Sequence, residues 1–262
     1  MLRNGNRADA ADIHIRVILA LMLREIHTIN GDSKLGYLWT IVKTGFNLAV
    51  FWACRAIMHA RAPHGMTVLS FLVLGFLIWD IVNKSLVANM RAIEGNRALL
   101  TYPHVFPLDI MIARTIVIST TQVVSMIIIL SLGALFGYPV VIDDLGLLFS
   151  AILLSMTFGL GCGTLLSTLA SYAPALNKLV PMALHILFFA SGVFFSVSMF
   201  SHRVGSWLLL NPIMQCIEMA RSAMSSGYVS PYFDIHYLLM VNLYVLTIGL
   251  LLERFVRRRL QA

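Results

Sequence analysis

Charged residues are scarce in this sequence. Of its 262 residues, 12% are Asp, Glu, Lys or Arg, whereas 59% are apolar and the mean hydropathy is +0.84. Soluble domains carry a charged fraction of about 25%, so the composition excludes an ordinary soluble protein and predicts one embedded in a membrane. The apolar runs are long and lack the alternation of barrel strands, which favours spanning helices.

Motifs for nucleotide and metal chemistry are also missing. The sequence holds no G-x-x-x-x-G-K-[ST] phosphate loop and no H-E-x-x-H pair. Its cysteines, Cys54, Cys162 and Cys216, are isolated in apolar segments, and we interpret them as packing residues. We therefore expect no metal site and no cofactor in this chain.

Six apolar stretches are each long enough, alone or with their flanks, for the ~20 residues that a spanning helix needs. The amphipathic segment 10–30 precedes them, and its short apolar centre predicts an interfacial helix. Asn211-Pro212 interrupts a later apolar segment, which predicts a re-entrant pair of short helices over 206–228, with a surface amphipathic segment as the alternative. The sequence thus predicts one all-α transmembrane domain over 1–262. Its six predicted spans are 35–57, 67–90, 108–136, 145–170, 179–200 and 235–253.

The formal net charge of +7 is unevenly distributed. If the chain crosses six times, most Lys and Arg residues fall on one side, including the arginines of the "RFVRRRLQA" tail. The short loop before the fourth span is acidic with Asp143 and Asp144, which we interpret as a helix cap. By the positive-inside rule both termini are cytoplasmic, so the basic excess indicates orientation and not a nucleic-acid partner.

Ionisable residues inside the predicted spans are the main functional signal, because each costs roughly 2.5–3.5 kcal/mol at the bilayer centre on insertion scales. Asp80 and Lys84 share a helix face and can pair. Lys43 has no carboxylate three or four residues away. Such groups can form ion pairs that hold helices together or can lie along a hydrated path. For Lys43 three interpretations stay open: snorkelling toward the cytoplasm, a partner on another helix, or a hydrated lumen.

Four segments occur in the order and spacing of one known family. They are "LREIHT" in the interfacial helix, "LGYLW" at the first span, "AIEGNRALLTYPHVFPLDIMIARTIV" between the second and third spans, and "LNPIMQCIEMARSAMSSGY" before the last. Over nearly its whole length the chain resembles the permease subunit of capsular polysaccharide ABC exporters, the KpsM type. The resemblance implies the type-2 ABC exporter permease fold.

The same resemblance implies a non-catalytic, homodimeric permease in the bacterial inner membrane. Two copies of a separate ATPase subunit would bind ATP and magnesium, and a lipid-linked acidic capsular polysaccharide would leave the cytoplasm through a channel on the dimer axis. A periplasmic adaptor of the polysaccharide co-polymerase type and an outer-membrane exporter would receive the polymer. The chain is also expected to contact membrane lipid, and no nucleic-acid partner is expected.

The resemblance also assigns a coupling segment. Residues 92–107 would dock into the ATPase, and residues 171–178 would form a second, smaller contact. The implied coupling residues are Glu94, Arg97, Leu99, Leu100, Tyr102 and His104.

Lys43-Thr44 stands where members of that family commonly carry Glu-Pro. We hypothesise that Lys43 faces the channel and attracts an anionic polymer, as basic rings do in anion-selective pores. Aromatic side chains of the same span are candidates for stacking against sugars. The expected channel residues are Tyr37, Trp39, Lys43, Phe46, Asp80, Lys84, Arg114, Asn211, Glu218 and Arg221.

Two other functions remain open. An exporter permease for O-antigen or teichoic acid would share the six-span plan. A polytopic membrane glycosyltransferase, which belongs to a different class, would need convergent carboxylates or a catalytic His at a membrane face, and the sequence shows no such arrangement.

Overall fold

Helices form almost all of the described part of the chain. The computed structural model describes residues 5–30, 36–57, 66–96, 99, 105–224 and 232–260, and within these ranges only helices and their connecting turns occur, which confirms the all-α class. The helices are α1 Gly5–Asn30, α2 Gly36–Ile57, α3 Val68–Met90, α4 Ala92–Gly95, α5 Pro107–Leu135, α6 Leu145–Tyr172, α7 Leu176–Ala190, α8 His202–Leu208, α9 Pro212–Ala223 and α10 Ile235–Leu260.

Four helices in the described part of the chain are long and apolar enough to cross a membrane: α3, α5, α6 and α10. They correspond to four of the six predicted spans. The other two are weaker candidates, because α2 carries Lys43, Asn47 and Arg55 within its 22 residues. α7 has 15 residues, which is about 22 Å of helix against ~30 Å of hydrocarbon. The count of six spans therefore stays a prediction.

Helix starts carry recognisable caps. Asp144 accepts a hydrogen bond from the N–H of Leu147 at 2.9 Å, which confirms that the acidic loop caps α6. Thr67 caps α3 in the same way through the N–H of Ser70, at 3.2 Å. Pro107 opens α5, where the missing N–H leaves no hydrogen bond unmade.

Helix α3 is the centre of the fold. It packs against α5, α6 and α9, and 72% of its most apolar 18-residue stretch is buried. Gly159 and Gly163 of α6 allow that helix to approach α3 closely. A Cβ on Gly163 would lie 2.6 Å from the Cβ of Asn89, so only glycine fits this contact without displacement.

A second, smaller core joins the predicted interfacial helix to the rest of the chain. Leu21 of α1, Ile93 of α4, and Ile110 and Met111 of α5 are buried there together. The helix expected over 10–30 begins earlier, at Gly5, and its apolar side packs on protein through this cluster. Its position relative to a membrane surface stays a prediction.

The structure corrects the continuous helix expected over 179–200. α7 ends at Ala190, and the chain turns at Gly192, whose φ of +78° lies in the left-handed region that favours glycine. A short 3-10 turn follows at Val197–Met199. The fifth predicted span is therefore a short helix followed by an irregular segment.

Two arginines from distant elements stabilise that irregular segment. Arg221 of α9 donates to the carbonyl oxygens of Val193 and Phe195 at 3.0 and 2.9 Å. Arg55 of α2 donates to the carbonyl of Phe194 at 2.6 Å. These guanidinium groups replace the backbone donors that a continuing helix would have provided, which explains why the helix can stop inside an apolar sequence.

Two short helices occupy the segment predicted as a re-entrant pair. α8 and α9 flank Asn211, whose side chain accepts from the N–H of Ile213 at 3.0 Å and caps α9. The break at Asn211-Pro212 is where the sequence placed it. Re-entry of this pair into the membrane stays a prediction, and residues 225–228 of it lie outside the described ranges.

Candidate functional site

Charged side chains gather where α1 meets the end of α3 and the start of α5. Glu25 of α1 is 8% exposed, and its carboxylate lies 3.0 Å from the guanidinium of Arg114 on α5. The neighbouring Arg24 donates to the side-chain oxygen of Asn96, just after α4, at 3.0 Å. The cluster thus links α1, α4 and α5 through buried or half-buried polar contacts, at the same end as the smaller core.

Arg114 was predicted from the sequence as a channel residue, whereas Glu25 was missed. Arg114 also donates to the carbonyl of Ala88 at 3.2 Å, so α3 shares the cluster. The signal for Glu25 was present in "LREIHT", which places one carboxylate between basic residues on a helix that packs on protein. Since Arg114 is held by Glu25, its channel role remains a prediction.

Asp80 and Lys84 form the ion pair that their spacing predicted. The Nζ of Lys84 donates to Oδ2 of Asp80 at 2.7 Å, and their side chains are 38% and 17% exposed. Pairing lowers the cost of placing both charges inside a spanning helix. The interpretation as an internal pair is therefore confirmed, while contact with a substrate stays a prediction.

A cleft of about 450 Å³ opens between α1, α3 and α5, next to these charges. Lys84 and Glu25 contribute to its wall, so the cleft adjoins both ion pairs. Its lining residues are Glu25, Asn83, Lys84, Val87, Ala88, Arg91, Ile118, Thr121 and Gln122.

The predicted coupling segment is described only in part. Glu94 is exposed on α4, and its carboxylate accepts from the side-chain amide of Asn177 at 3.3 Å. Because Asn177 belongs to the predicted second contact at 171–178, the two segments lie side by side. Leu99 is half-buried against the smaller core. The remaining coupling residues, Arg97, Leu100, Tyr102 and His104, lie outside the described residues.

One face of α2 is left uncovered by the chain. Trp39 is 72% exposed and Phe46 is 68% exposed, and Lys43 between them is exposed as well. At 100° per residue these three side chains, with the exposed Val50, fall on one stripe. No described carboxylate pairs with Lys43. The side chain of Tyr37, the fourth predicted channel residue of this helix, lies outside the described part.

Glu218 and Arg221, predicted as channel residues, lie inside the protein. They form an ion pair at 3.4 Å and are each 1% exposed. The Arg221 guanidinium also sits over the Phe71 ring of α3, 3.5 Å from the ring centre. A side chain enclosed within one chain offers no surface to a passing polymer, so we correct this assignment: the pair holds α9 and the turn after α7 against α3.

Asn211 is engaged in local structure in addition to its cap. Its side-chain amide donates to the hydroxyl of Ser191 at 3.1 Å, joining the start of α9 to the end of α7. The channel role predicted for Asn211 is not tested by these contacts. They do explain why the chain bends at this residue.

Several aromatic residues of α2 and α7 pack inside the protein. Phe51 lies 4.6 Å from Phe194 and 5.5 Å from Phe76, measured between ring centres. Phe188 lies 5.3 Å from Trp79 in the same cluster. These rings contribute to the core, which leaves Trp39 and Phe46 as the described aromatic candidates of α2 for contact with a sugar chain.

The described residues therefore provide buried ion pairs and an exposed charged surface, and they provide no cluster of metal ligands. Among them, no three His, Cys, Asp or Glu side chains are placed to hold a metal ion. The arrangement can hold charge in a mostly apolar chain, expose one cation on α2, and present a polar cleft at the end where α1 docks.

The family of the chain follows from a match over most of its length. Residues 16–225 match the model of the family described as ABC-2 type transporter, from α1 to the end of α9. The chain belongs to the ABC-2 type transporter family. Its helical fold with apolar spans agrees with a multi-pass membrane subunit of such a transporter.

Similar proteins of this ABC-2 family cover almost the whole chain. It is 32% identical over 240 residues to the polysialic acid transport protein KpsM of Escherichia coli, covering 90% of this chain and 91% of that protein. The capsule polysaccharide export inner-membrane protein CtrC of Neisseria meningitidis serogroup B is 26% identical over 245 residues, with 92% and 91% covered. The resemblance to the KpsM type is confirmed.

A relative named for a different function matches a smaller part of the chain. The O-antigen export system permease protein RfbA of Myxococcus xanthus is 25% identical over 211 residues, which cover 76% of each chain. The larger coverage of the capsule exporters and the higher identity to KpsM favour capsule export as the nearer comparison.

Proposed function

We propose that this chain is the channel-forming permease of an ATP-driven exporter that moves a lipid-linked acidic capsular polysaccharide across the bacterial inner membrane. The names of the relatives that cover nine-tenths of the chain supply the class of cargo. The structural observation that carries the proposal is the exposed Lys43 on α2.

The exposed position of Lys43 calls for a polar environment outside the chain. A lysine in contact with acyl chains at mid-membrane costs roughly 2.5–3.5 kcal/mol, and no described carboxylate offsets that cost. A hydrated channel removes the penalty and places a cation where an acidic polymer passes. Trp39 and Phe46, on the same stripe, then offer faces along which sugar rings slide.

A second copy of the chain completes this channel. α2 has an uncovered stripe, and α7 exposes Met182, Ile186 and Phe189, which are 66%, 75% and 63% exposed. Pairing two chains through these helices encloses the α2 stripes on a twofold axis. In this homodimer α2 and α7 act as the first and fifth of six spans, with α8 and α9 as a re-entrant pair.

Energy comes from a separate ATPase, of which two copies bind the dimer. The ATPase subunits hold ATP and magnesium, so this chain needs neither. Glu94 and Asn177, joined by a hydrogen bond, place the two coupling segments on one surface for docking. Closure of the ATPases widens the channel only if they bind its two states with different affinity.

Orientation and further partners follow from the same proposal. Both chain termini face the cytoplasm, which places the coupling surface on the side of the ATPases. A periplasmic adaptor of the co-polymerase type and an outer-membrane exporter receive the polymer on the far side.

Deleting the gene and locating the polymer tests the proposal. We expect completed capsular polysaccharide to accumulate in the cytoplasm and to reach the surface again on complementation with the wild-type chain. Absence of polymer would contradict export and favour the membrane glycosyltransferase. Complementation with Lys43→Gln should restore little surface polymer, whereas Lys43→Arg, which retains the charge, should restore most of it.

Export of O-antigen is the second candidate, favoured by the similarity to the Myxococcus xanthus permease. The same deletion strain separates the two. Loss of lipopolysaccharide side chains from the surface, with capsule intact, would establish the O-antigen exporter and contradict the capsule proposal.

A further inference from the structure

The cleft between α1, α3 and α5 contains polar groups that the rest of the chain leaves unused. Gln122 of α5 is 4% exposed and lines this cleft, yet no described residue forms a hydrogen bond with its amide. Asn83 of α3 also lines the cleft and likewise has no hydrogen-bond partner among the described residues. Gln122 is buried, whereas Asn83 is half-buried. Buried amides are normally bonded, so the unused amide of Gln122 beside this cavity indicates a bound molecule or water.

The charge around the cleft favours an anion. The Asp80–Lys84 pair and the Glu25–Arg114 pair balance their own charges. Arg91, which follows the last residue of α3, is exposed on the rim and pairs with no described carboxylate. The guanidinium of Arg91 is thus left over, and it gives the rim of the cleft a positive character.

The remainder of the lining is apolar. Val87 and Ala88 of α3 face Ile118 of α5 between the polar ends of the cleft. From residue 83 to residue 91, α3 rises about 12 Å, which is the depth of a lipid headgroup and the first part of its chain. A volume of about 450 Å³ lies within the range of small-ligand sites but is too small for a polysaccharide.

The location of the cleft agrees with a ligand from the membrane. Its rim at Arg91 lies beside α4 and the docked α1, at the end of the fold that the distribution of basic residues assigns to the cytoplasm. A molecule in the inner leaflet can therefore place its headgroup at the rim without crossing the bilayer.

We propose that this cleft binds the anionic phosphate headgroup of a membrane amphiphile. Arg91 at the rim faces the phosphate. The apolar lining packs on the carbons below it, and the amides of Asn83 and Gln122, at the other end of the cleft, donate to a carbonyl oxygen further along the molecule. That this amphiphile is the lipid anchor of the exported polymer rests on the proposed function, since a membrane phospholipid carries the same phosphate chemistry.

Lipid retention on the purified full-length protein tests the site. The transporter is reconstituted with equal amounts of phosphatidylglycerol and phosphatidylcholine, and native mass spectrometry counts the lipids that remain bound. We expect phosphatidylglycerol retention to fall roughly tenfold in Arg91→Gln, the factor of about 1.4 kcal/mol for one lost charge-assisted contact. Phosphatidylcholine retention should fall less in this variant, because the choline group already neutralises its phosphate. Gln122→Leu should lower the retention of both lipids, because both carry the carbonyl oxygen.

Arg203→Gln is the matched control, because Arg203 is an exposed arginine outside the cleft and undergoes the same change of charge. It should retain phosphatidylglycerol like the wild type. Arg91→Lys should recover part of the retention. Equal retention in Arg91→Gln and wild type, or an equal loss of both lipids in Arg91→Gln, would overturn the proposal. Arg91 is exposed, so its variants keep the test valid if Gln122→Leu fails to fold.

Two further measurements identify the source of the phosphate. Displacement of phosphatidylglycerol by millimolar inorganic phosphate would show that the headgroup alone is recognised. Loss of retention together with loss of polymer export would assign the site to the polymer's anchor, and loss of retention with normal export would assign it to a membrane phospholipid. Retention is measured without any polymer, so failure of this site leaves the exporter proposal standing, and the deletion strain tests that proposal separately.

Discussion

Helices α3 and α2 both carry charge in a mostly apolar sequence, but their surroundings differ. In α3, Lys84 pairs with Asp80 at 2.7 Å, and the helix is the most buried of the four described helices that could cross a membrane. In α2, Lys43 has no described partner and lies on an exposed stripe. Leu48 is the one described α2 residue in the buried core. The difference separates charge that is paired inside the protomer from charge that lies unpaired, among the described residues, on its surface.

The largest effect is expected where α9 packs on α3. Arg221→Gln removes the cation that pairs with the buried Glu218. Breaking a buried ion pair in this way typically destabilises a protein by about 3–5 kcal/mol, and we expect a loss of that size here. It also removes the donors that hold the turn after α7. Little folded protein should accumulate in membranes, as measured by immunoblot and by thermal unfolding in detergent. Arg203→Gln, an exposed control, should behave as wild type, and normal stability of Arg221→Gln would contradict the structural role.

Glycines provide the next comparison between the two helices. Gly163→Ala places a Cβ 2.6 Å from that of Asn89 at the α6–α3 contact and should destabilise the protein by about 1–3 kcal/mol. In α2, a Cβ on Gly45 would meet nothing within 4 Å. Gly45→Ala should therefore be neutral or stabilise by up to about 1 kcal/mol, through helix propensity. Thermal unfolding of the two variants measures this difference. Equal destabilisation by Gly163→Ala and Gly45→Ala would contradict the expected contrast between a packed and an uncovered helix.

The ion pair on α3 should have a smaller effect. Asp80→Asn removes the partner of Lys84, which is more than a third exposed, so solvent screening limits the loss to about 0–1 kcal/mol. Asp80→Asn combined with Lys84→Gln should recover the stability lost by Asp80→Asn alone. A large loss in the double variant would show that the pair does more than balance charge.

The smallest effect on stability is expected at Lys43. Lys43→Gln removes no ion pair or hydrogen bond found among the described residues, so the unfolding temperature should stay within experimental error of wild type. Export should nevertheless fall. A clear loss of stability in purified protein would indicate an unrecognised partner inside the protomer and would weaken the contrast between α2 and α3.

The sequence predicted features that depend on neighbouring residues. The helix start at Asp144, the break at Asn211 and the Asp80–Lys84 pair all arise from contacts within four residues, and all are observed. Hydropathy located four spans for the same reason, because length and composition are local properties.

Features that depend on distant residues were missed. The early end of α7 follows from Arg55 and Arg221, which lie far from it in the chain. Glu25 of α1 pairs with Arg114 of α5, and the sequence does not show how these two helices are aligned with each other. Assigning Arg221 to the channel was wrong. In the sequence, a charge inside a membrane segment can be either a buried ion pair or a side chain in a hydrated path, and only the packing of the folded protein distinguishes the two.

Water access to residue 43 tests the central claim most directly. Lys43→Cys is made in a chain whose Cys54, Cys162 and Cys216 are replaced by serine, and Leu243→Cys, an exposed position on α10, is the lipid-facing control. In the assembled transporter we predict that a charged, membrane-impermeant thiol reagent modifies residue 43 rapidly and leaves residue 243 unmodified. Residue 43 left unmodified by that reagent in intact membranes, but modified as residue 243 is once the protein is denatured in detergent, would place residue 43 in lipid and contradict the wet channel.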